Sequence, residues 1–383
     1  MEFKPVKTAV IGCGMISDIY LENLKNKFYI TDLVGCADMV DEKANNQAEK
    51  YGIKKMTVDE ILNDPEIELV LNLTYATSHF EVNKQILNAK KHCYCEKMMC
   101  LTMEEADELD SLRKKNGVHF IVAPDTFLGA SQQTARYIVD RGLIGEPIQA
   151  QVNLCRGYHM IKSTEDDKER KFSVMHEGGG IPYDMGGYYL HELFNIFGGV
   201  KSGFGYEFTR NANRPYLNPR HEKFDDNFFV NTPNTMSATL KFECGVLCNF
   251  NICSDYLAYD EEFKIMGTEG ILYLGDPNQF NGQVYIKKQN GEKLEFPISH
   301  PYAENSRGIG AADLAWAIRT GRNPRLSFEM GYHALEIINA LKFCEDSGKM
   351  CEFKTVIKRP APISSEYYCG GSEERSLYLY SEE

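Results

Sequence analysis

Long apolar runs are missing from this 383-residue chain. No stretch approaches the roughly 20 residues that cross a bilayer. The opening MEFKPVK also lacks the hydrophobic region of a signal peptide, so a cytoplasmic protein is expected. Positive charge is in deficit: 42 Lys and Arg face 55 Asp and Glu, a net charge of −13. That balance argues against nucleic acid or an anionic membrane as a partner. Cysteine is plentiful at 12 residues, yet it forms no regular framework. Cys36, Cys95, Cys248 and Cys344 fall inside expected strands or helices, so buried, reduced thiols are expected rather than disulfides. Neither Cys93-x-Cys95 nor Cys244, Cys248 and Cys253 has the spacing of a zinc site, and no metal is expected. With 43% hydrophobic and 25% charged residues the composition is that of an ordinary globular protein. The length is too great for one core and implies two domains.

What is present is organised around Thr8 to Leu24, TAVIGCGMISDIYLENL. The run Thr8-Ala9-Val10-Ile11 reads as a strand, and Gly12-Cys13-Gly14 as a tight turn continuing through Met15 and Ile16. Ile16, Ile19, Tyr20 and Leu24 then recur at helical spacing. A strand, a glycine turn and a helix aim free N–H groups at a pyrophosphate. Ser17, small enough to keep the helix near the strand, replaces the usual third glycine. A second strand, Asp32 to Ala37, ends at Asp38, 24 residues after Gly14. That is close to the separation of the carboxylate that accepts adenosine ribose hydroxyls. A carboxylate there repels a 2′-phosphate and no arginine follows directly, so NAD is favoured over NADP.

Strand and helix alternate through the first third of the chain. Leu69 to Leu73 and His92 to Cys95 read as strands, as does Val118 to Ala123. Helices are expected from about Phe80 to Ala89 and from Thr102 to Asn116, the latter with Glu105 at capping-box spacing. This pattern gives a parallel α/β Rossmann sheet with its ligands off the carboxyl ends of the strands. Gly12, Asp38, Thr74, Tyr75, His79, Glu96, Lys97 and Asp125 are therefore expected along one crevice. After a helix at Gln132–Gly142, longer alternating strands take over: Gln149–Leu154, Thr235–Phe242, Val246–Ile252, Glu262–Met266, Ile271–Leu274 and Gln283–Lys287. They read as an open-faced, mostly antiparallel sheet in an α+β domain, with helices returning at Gly310–Thr320 and Glu329–Ser347. Lys201 to Asp226 reads as a long surface loop. The expected domains are 1–127 for the dinucleotide and 128–363 for substrate and self-association, with 364–383 a polar tail.

With Gly12-x-Gly14, Glu96-Lys97 and GGGIPYDMG at 178–186 in order, the chain resembles the glucose–fructose oxidoreductase / inositol dehydrogenase / rhizopine-catabolism family. Gly267-Thr-Glu-Gly270 and Arg359-Pro-Ala-Pro362 extend the resemblance to about Ile363. It implies a tightly bound nicotinamide cofactor and oxidation or reduction of a sugar or cyclitol carbon. It also implies dimers or tetramers that pair through the second domain's sheet. Family members read Glu-Lys-Pro, often with a cis peptide before the proline. Here Met98 stands in that place, where cis is costly. The strand-end Thr-Pro of many members is Thr74-Tyr75.

Alcohol oxidation needs a hydride acceptor, a base on the hydroxyl, and a cation or donor for the developing oxyanion. Asp184, Tyr188 and His191 stand at i, i+4 and i+7, one face of a helix, and Lys97 would approach from the first domain. The resemblance places proton transfer at Tyr188. Chemistry favours His191, since imidazole titrates near 6.5 and a phenol near 10 needs a cation such as Lys97. Arg156, Tyr158, His159 and His176 are candidates for sugar binding, with Arg307 a further substrate-side residue. The leading expectation is an NAD-dependent dehydrogenase of a ring hydroxyl, most specifically C3 of a glucosyl group. Two alternatives are an NAD-assisted glycoside-cleaving enzyme and a non-catalytic nicotinamide-binding regulator.

Overall fold

The computed structural model describes residues 3–157, 178–216, 224, 226–342 and 344–363. The β-branched opening run forms β1 (Val6–Ile11), buried along nearly its whole length. It lies inside a parallel sheet with β2 (Thr31–Ala37), β3 (Lys54–Lys55), β4 (Leu69–Asn72), β5 (His92–Cys95) and β6 (Phe120–Val122), in the order β3-β2-β1-β4-β5-β6. The order reverses between β1 and β4, which opens a crevice at the strand ends. Helices α1 (Ser17–Asn26), α2 (Asp41–Tyr51), α3 (Val58–Asn63), α4 (Ala76–Asn88) and α5 (Met103–Asn116) make the crossovers. The expected capping box of α5 is present, with Thr102 and Glu105 bonded reciprocally, and Thr57 and Glu60 make a second one at α3. Only Ala44, Ala48 and Tyr51 of α2 are buried, two alanines and one aromatic, too faint a stripe to mark that helix by periodicity.

The chain continues through α6 (Ala130–Asp140), β7 (Pro147–Cys155) and α7 (Gly180–Phe197). Then come β8 (Val200–Phe208), a two-stranded ribbon of β9 (Asn213–Pro215) and β10 (Asn227–Phe229), β11 (Thr235–Phe242), β12 (Leu247–Cys253), β13 (Asp260–Gly267), β14 (Gly270–Leu274), β15 (Val284–Lys288) and β16 (Lys293–Phe296). With β17 (Cys351–Glu352) they form a nine-stranded sheet, β16-β15-β14-β13-β7-β12-β11-β8-β17. It is mostly antiparallel, as expected, and among the described residues only its central pair β7·β12 is parallel. A parallel pair needs a long crossover, and the chain supplies one by running through α7, β8 and β11 first. The loop expected over 201–226 is also corrected: its first part is β8. Gly203 and Gly205 hid that strand. A Cβ on them would sit 2.8 Å from Leu240 and 2.6 Å from Ala238 of β11, so close strand approach replaces β-propensity there.

Burial alternates along β11, with Met236, Ala238, Leu240 and Phe242 inward and Ser237, Thr239 and Lys241 outward. Helix α7, buried along nearly its whole length, fills the inner face. Helices α8 (Ile309–Thr320) and α9 (Phe328–Leu341) return to the first sheet. Gly331 of α9 packs onto Val122 of β6, and Gly310 of α8 onto Asp125 and Tyr94. Arg319 pairs with Glu68, and Arg113 lies 4.2 Å from the Phe328 ring centroid. Because α9 also packs against α7 and β8, these contacts join the two sheets, so a residue at a strand end of the first can meet α7 of the second. No helix among the described residues is long and apolar enough to cross a membrane.

Candidate active site

At the turn after β1, Gly12 has φ +102°, and a Cβ there would lie 2.6 Å from the Leu73 carbonyl carbon. Only glycine fits. A Cβ on Gly14 would meet nothing within 4 Å, leaving room over the helix N-terminus. No side chain caps that end of α1. Ser17 Oγ donates instead to the Gly14 carbonyl at 2.6 Å, bracing the turn and leaving the helix dipole open to an anion. Asp38 accepts the Cys13 N–H on Oδ2 at 2.7 Å and the Val40 N–H on Oδ1 at 2.8 Å. Each carboxylate oxygen retains a lone pair for a ribose hydroxyl. Met39, 98% exposed, joins Met15, Val40 and Tyr75 as uncovered apolar surface at the ends of β1, β2 and β4. Such surface suits the rings of a dinucleotide, and the whole set fits that group.

Two expected crevice residues sit behind it. His79 is fully buried, its Nδ1 bonded to the Met98 carbonyl at 2.5 Å and its Nε2 to the Thr74 carbonyl at 2.9 Å. It therefore braces the two strand ends from beneath. Thr74 itself donates to Asn72 Oδ1 at 2.6 Å. Asp125 is buried and accepts the Gly308 and Gly310 N–H groups at 2.9 and 3.0 Å, pinning the start of α8. Burial pushes its carboxyl up to about 6 despite those two bonds. A strand-end position selects the edge of the sheet but not the side on which a side chain lands.

Lys97 meets α7 as the sequence implied. The Lys97–Met98 peptide is cis although Met98 replaces the family's proline. Glu96 holds the turn, accepting the Lys97 N–H at 3.1 Å and the Tyr20 hydroxyl at 2.5 Å. Lys97 Nζ donates to Asp184 Oδ1 at 2.9 Å and lies 5.2 Å from the Tyr188 ring centroid. Burial pulls the ammonium pKa down, but Asp184, Tyr188 and Glu96 outweigh it and hold the group firmly charged. Gly180 opens α7 at φ +83°, where a Cβ would lie 2.4 Å from the Pro233 carbonyl, and Thr232 donates to Gly179 at 2.8 Å. These contacts clamp the helix end one turn before Asp184.

His191 shares the helix face but not the cluster. Its Nδ1 donates to the Gly187 carbonyl one turn back at 2.8 Å, and its ring lies between Phe127 and Phe194, at centroid distances of 6.4 and 5.9 Å. Nε2 meets no hydrogen-bond partner among the described residues, and burial pushes the imidazole down to about 4. The Tyr188 phenol is pushed up by burial and drawn back by Lys97 and Arg307. Arg156 donates to Glu261 at 2.8 Å and Asp276 at 2.7 Å, with Nη1 3.7 Å from Met185 Sδ beside Asp184. Arg307 donates to Asn278 Oδ1 at 2.6 Å and Asn305 Oδ1 at 2.8 Å. Tyr158, His159 and His176 lie outside the described residues. Sequence reasoning missed Tyr20, which reads as an ordinary packing residue of α1, and the Asp276–Asn278 turn, which reads as a connector. No group of three or more His, Cys, Asp or Glu among the described residues is placed to hold a metal.

A glycine-turn nucleotide cradle facing a polar cleft under a second sheet is the layout of a dinucleotide-dependent oxidoreductase. The chain belongs to the GFO/IDH/MocA oxidoreductase family: the family's NAD-binding Rossmann fold matches residues 6–123 and its C-terminal domain matches 132–273. An uncharacterized oxidoreductase of Schizosaccharomyces pombe is 32% identical over 200 residues, 51% of this chain and 52% of that protein. A myo-inositol 2-dehydrogenase of Thermotoga maritima is 28% identical over 185 residues, 47% of this chain and 51% of that one. The chain spans about half the length of these curated relatives. A levoglucosan dehydrogenase solved with NADH has the same fold, with a TM-score of 0.76 at 18% identity, over 92% of this chain and 100% of that one.

Proposed function

We propose that the protein is an NAD-dependent dehydrogenase of a secondary ring hydroxyl on a sugar, cyclitol or glycoside, with C3 of a glucosyl group as the specific position. One observation carries this reading: Lys97 of the nucleotide half and Asp184 of the sheet half meet at 2.9 Å, against Tyr188. The inositol and levoglucosan dehydrogenases among the similar proteins support the substrate class. NAD, when bound, supplies the hydride acceptor. Lys97, kept charged by Asp184, donates to the reacting oxygen as charge develops there. Tyr188 takes the hydroxyl proton in oxidation and returns it in reduction. Asp184 orients the ammonium, and His191 packs within the helix core.

Tyr188→Phe should lower single-turnover reduction of bound NAD by about a hundredfold or more while NAD still binds. Levoglucosan, myo-inositol and a glucoside serve as probes. Because His191 stays neutral above about 4, the rate profile should show no imidazole step near the usual value of about 6.5. Such a step, abolished by His191→Asn, would move the proton-transfer role to His191. Asp38→Asn keeps the shape but removes the negative charge. It should weaken NAD binding about tenfold and narrow the preference over NADP, read by fluorescence titration of both cofactors. Unchanged affinities would remove Asp38 from the ribose site.

A further inference from the structure

A lysine serves a reacting oxygen only from a fixed place, since a misplacement of about 1 Å can cost about a hundredfold in rate. The Lys97 side chain is long, and Asp184 fixes only its far end, 2.9 Å from Nζ. The near end is fixed from the nucleotide half. Glu96 accepts the Lys97 N–H on Oε2 at 3.1 Å and the Tyr20 hydroxyl on Oε1 at 2.5 Å. We propose that Tyr20 is a positioning residue for Lys97: its phenol locks the Glu96 carboxylate, which fixes the backbone from which the ammonium reaches the cleft. The proposal rests on Lys97 as the donor to the reacting oxygen.

A chain of hydrogen bonds makes the lock. Tyr20 has a single hydroxyl proton, and its 2.5 Å approach to a carboxylate oxygen assigns that proton to Glu96. The Tyr94 hydroxyl, 2.9 Å from that of Tyr20, is then the donor to it. Burial and the Glu96 charge push the Tyr20 phenol well up, so it keeps its proton. With a phenol on one oxygen and a backbone N–H on the other, the carboxylate cannot swing away without breaking both bonds. The Tyr20 ring is held as well. It is 1% exposed, meets the Tyr94 ring edge-on at a centroid distance of 5.7 Å, and lies beside Gly308, whose Cβ would be 3.5 Å from Tyr20 Cδ1.

The lock is carried by α1, the helix whose uncapped N-terminus suits the dinucleotide phosphates. The same helix is tied at its far end. Asn23 Nδ2 donates to the Asn305 and Arg307 carbonyls at 3.0 and 2.8 Å. Lys27 Nζ donates to Glu304 Oε1 and Ser306 Oγ at 2.6 and 2.8 Å. The first turn of α1 thus faces the cofactor, its second holds Glu96, and its end grips the segment leading into α8. A plain packing role for Tyr20 leaves the bond to Glu96 unexplained, because the Tyr94 hydroxyl alone would satisfy a buried phenol.

Tyr20→Phe keeps the ring and removes only the hydroxyl. Single-turnover reduction of bound NAD is followed in the full chain, saturated with cofactor, using levoglucosan, myo-inositol and a glucoside as probes. The rate should fall about tenfold or more, with NAD affinity within about threefold of native. The decisive readout is the same substitution in a Lys97→Met chain. A residue that acts through the ammonium has nothing left to position there, so Tyr20→Phe should change that lower rate by less than about twofold. An equal loss in both chains, or no loss in either, overturns the role. Should Tyr20→Phe fail to fold, Glu96→Gln decides by the same criteria, since it leaves a single acceptor oxygen for two donors. Native-rate reduction in Lys97→Met alone would instead sink the dehydrogenase reading on which the proposal rests, whatever Tyr20 gives.

Discussion

Replacing Lys97 with methionine is expected to cut single-turnover reduction of bound NAD by about a thousandfold. NAD affinity should stay within about threefold of the native value, because the cradle of Gly12, Gly14 and Asp38 is untouched. The size follows from what the ammonium does. It is largely buried, at 14% side-chain exposure, and is kept charged by the Asp184 carboxylate at 2.9 Å. A preorganised charge at a developing oxyanion contributes about 3 to 4 kcal/mol, and its removal also takes away the ion pair between Lys97 and Asp184. Lys97→Arg should restore little, because a planar fork cannot occupy the place of a point charge between Asp184 and the Tyr188 ring. Stopped-flow absorbance of the nicotinamide, with the three sugar probes, measures both variants. A loss below about tenfold would remove Lys97 from the chemistry.

Gly12→Val should have the second large effect, on stability and cofactor binding together. A Cβ at Gly12 would lie 2.6 and 2.7 Å from the Leu73 carbonyl carbon and oxygen and 2.8 Å from the Thr74 nitrogen. All three are backbone atoms of the neighbouring strand end and cannot step aside as a side-chain tip would. The φ of +102° adds strain of about 1 to 3 kcal/mol for a β-branched residue. A total loss of about 3 kcal/mol or more is expected in urea unfolding, with NAD binding reduced at least about a hundredfold. Gly14→Ala is the contrasting case. Nothing lies within 4 Å of its Cβ, so stability should be nearly native while the methyl fills space left for phosphate and weakens NAD binding. Equal destabilisation by the two substitutions would contradict the geometry of the turn.

Much of this was legible before any coordinates, for identifiable reasons. The β1 run, the glycine turn and Asp38 carry their own physics, since glycines, a β-branched strand and a fixed separation point to one ligand. The capping box at Thr102 and Glu105 marked α5 to the residue. Asp184, Tyr188 and His191 could be placed on one face of a helix, but spacing does not say where a ring turns. His191 bends back to the Gly187 carbonyl of its own helix, while Tyr188 stays with Lys97. His79 and Asp125 show the same limit at strand ends. The strand β8 was hidden because Gly203 and Gly205 serve close packing against β11 rather than β-propensity. Arg307, expected only as a substrate-side residue, has its carbonyl held by Asn23, 284 positions away in the chain, which no local pattern encodes.

The most direct measurement is a crystal structure of the full chain with NADH and whichever probe sugar it binds. The expected complex has one ring hydroxyl between Lys97 Nζ and the Tyr188 hydroxyl, its carbon facing the nicotinamide ring. A sugar seated away from both side chains, or a nicotinamide ring turned from the α7 face, would contradict the convergence of the two halves on one carbon.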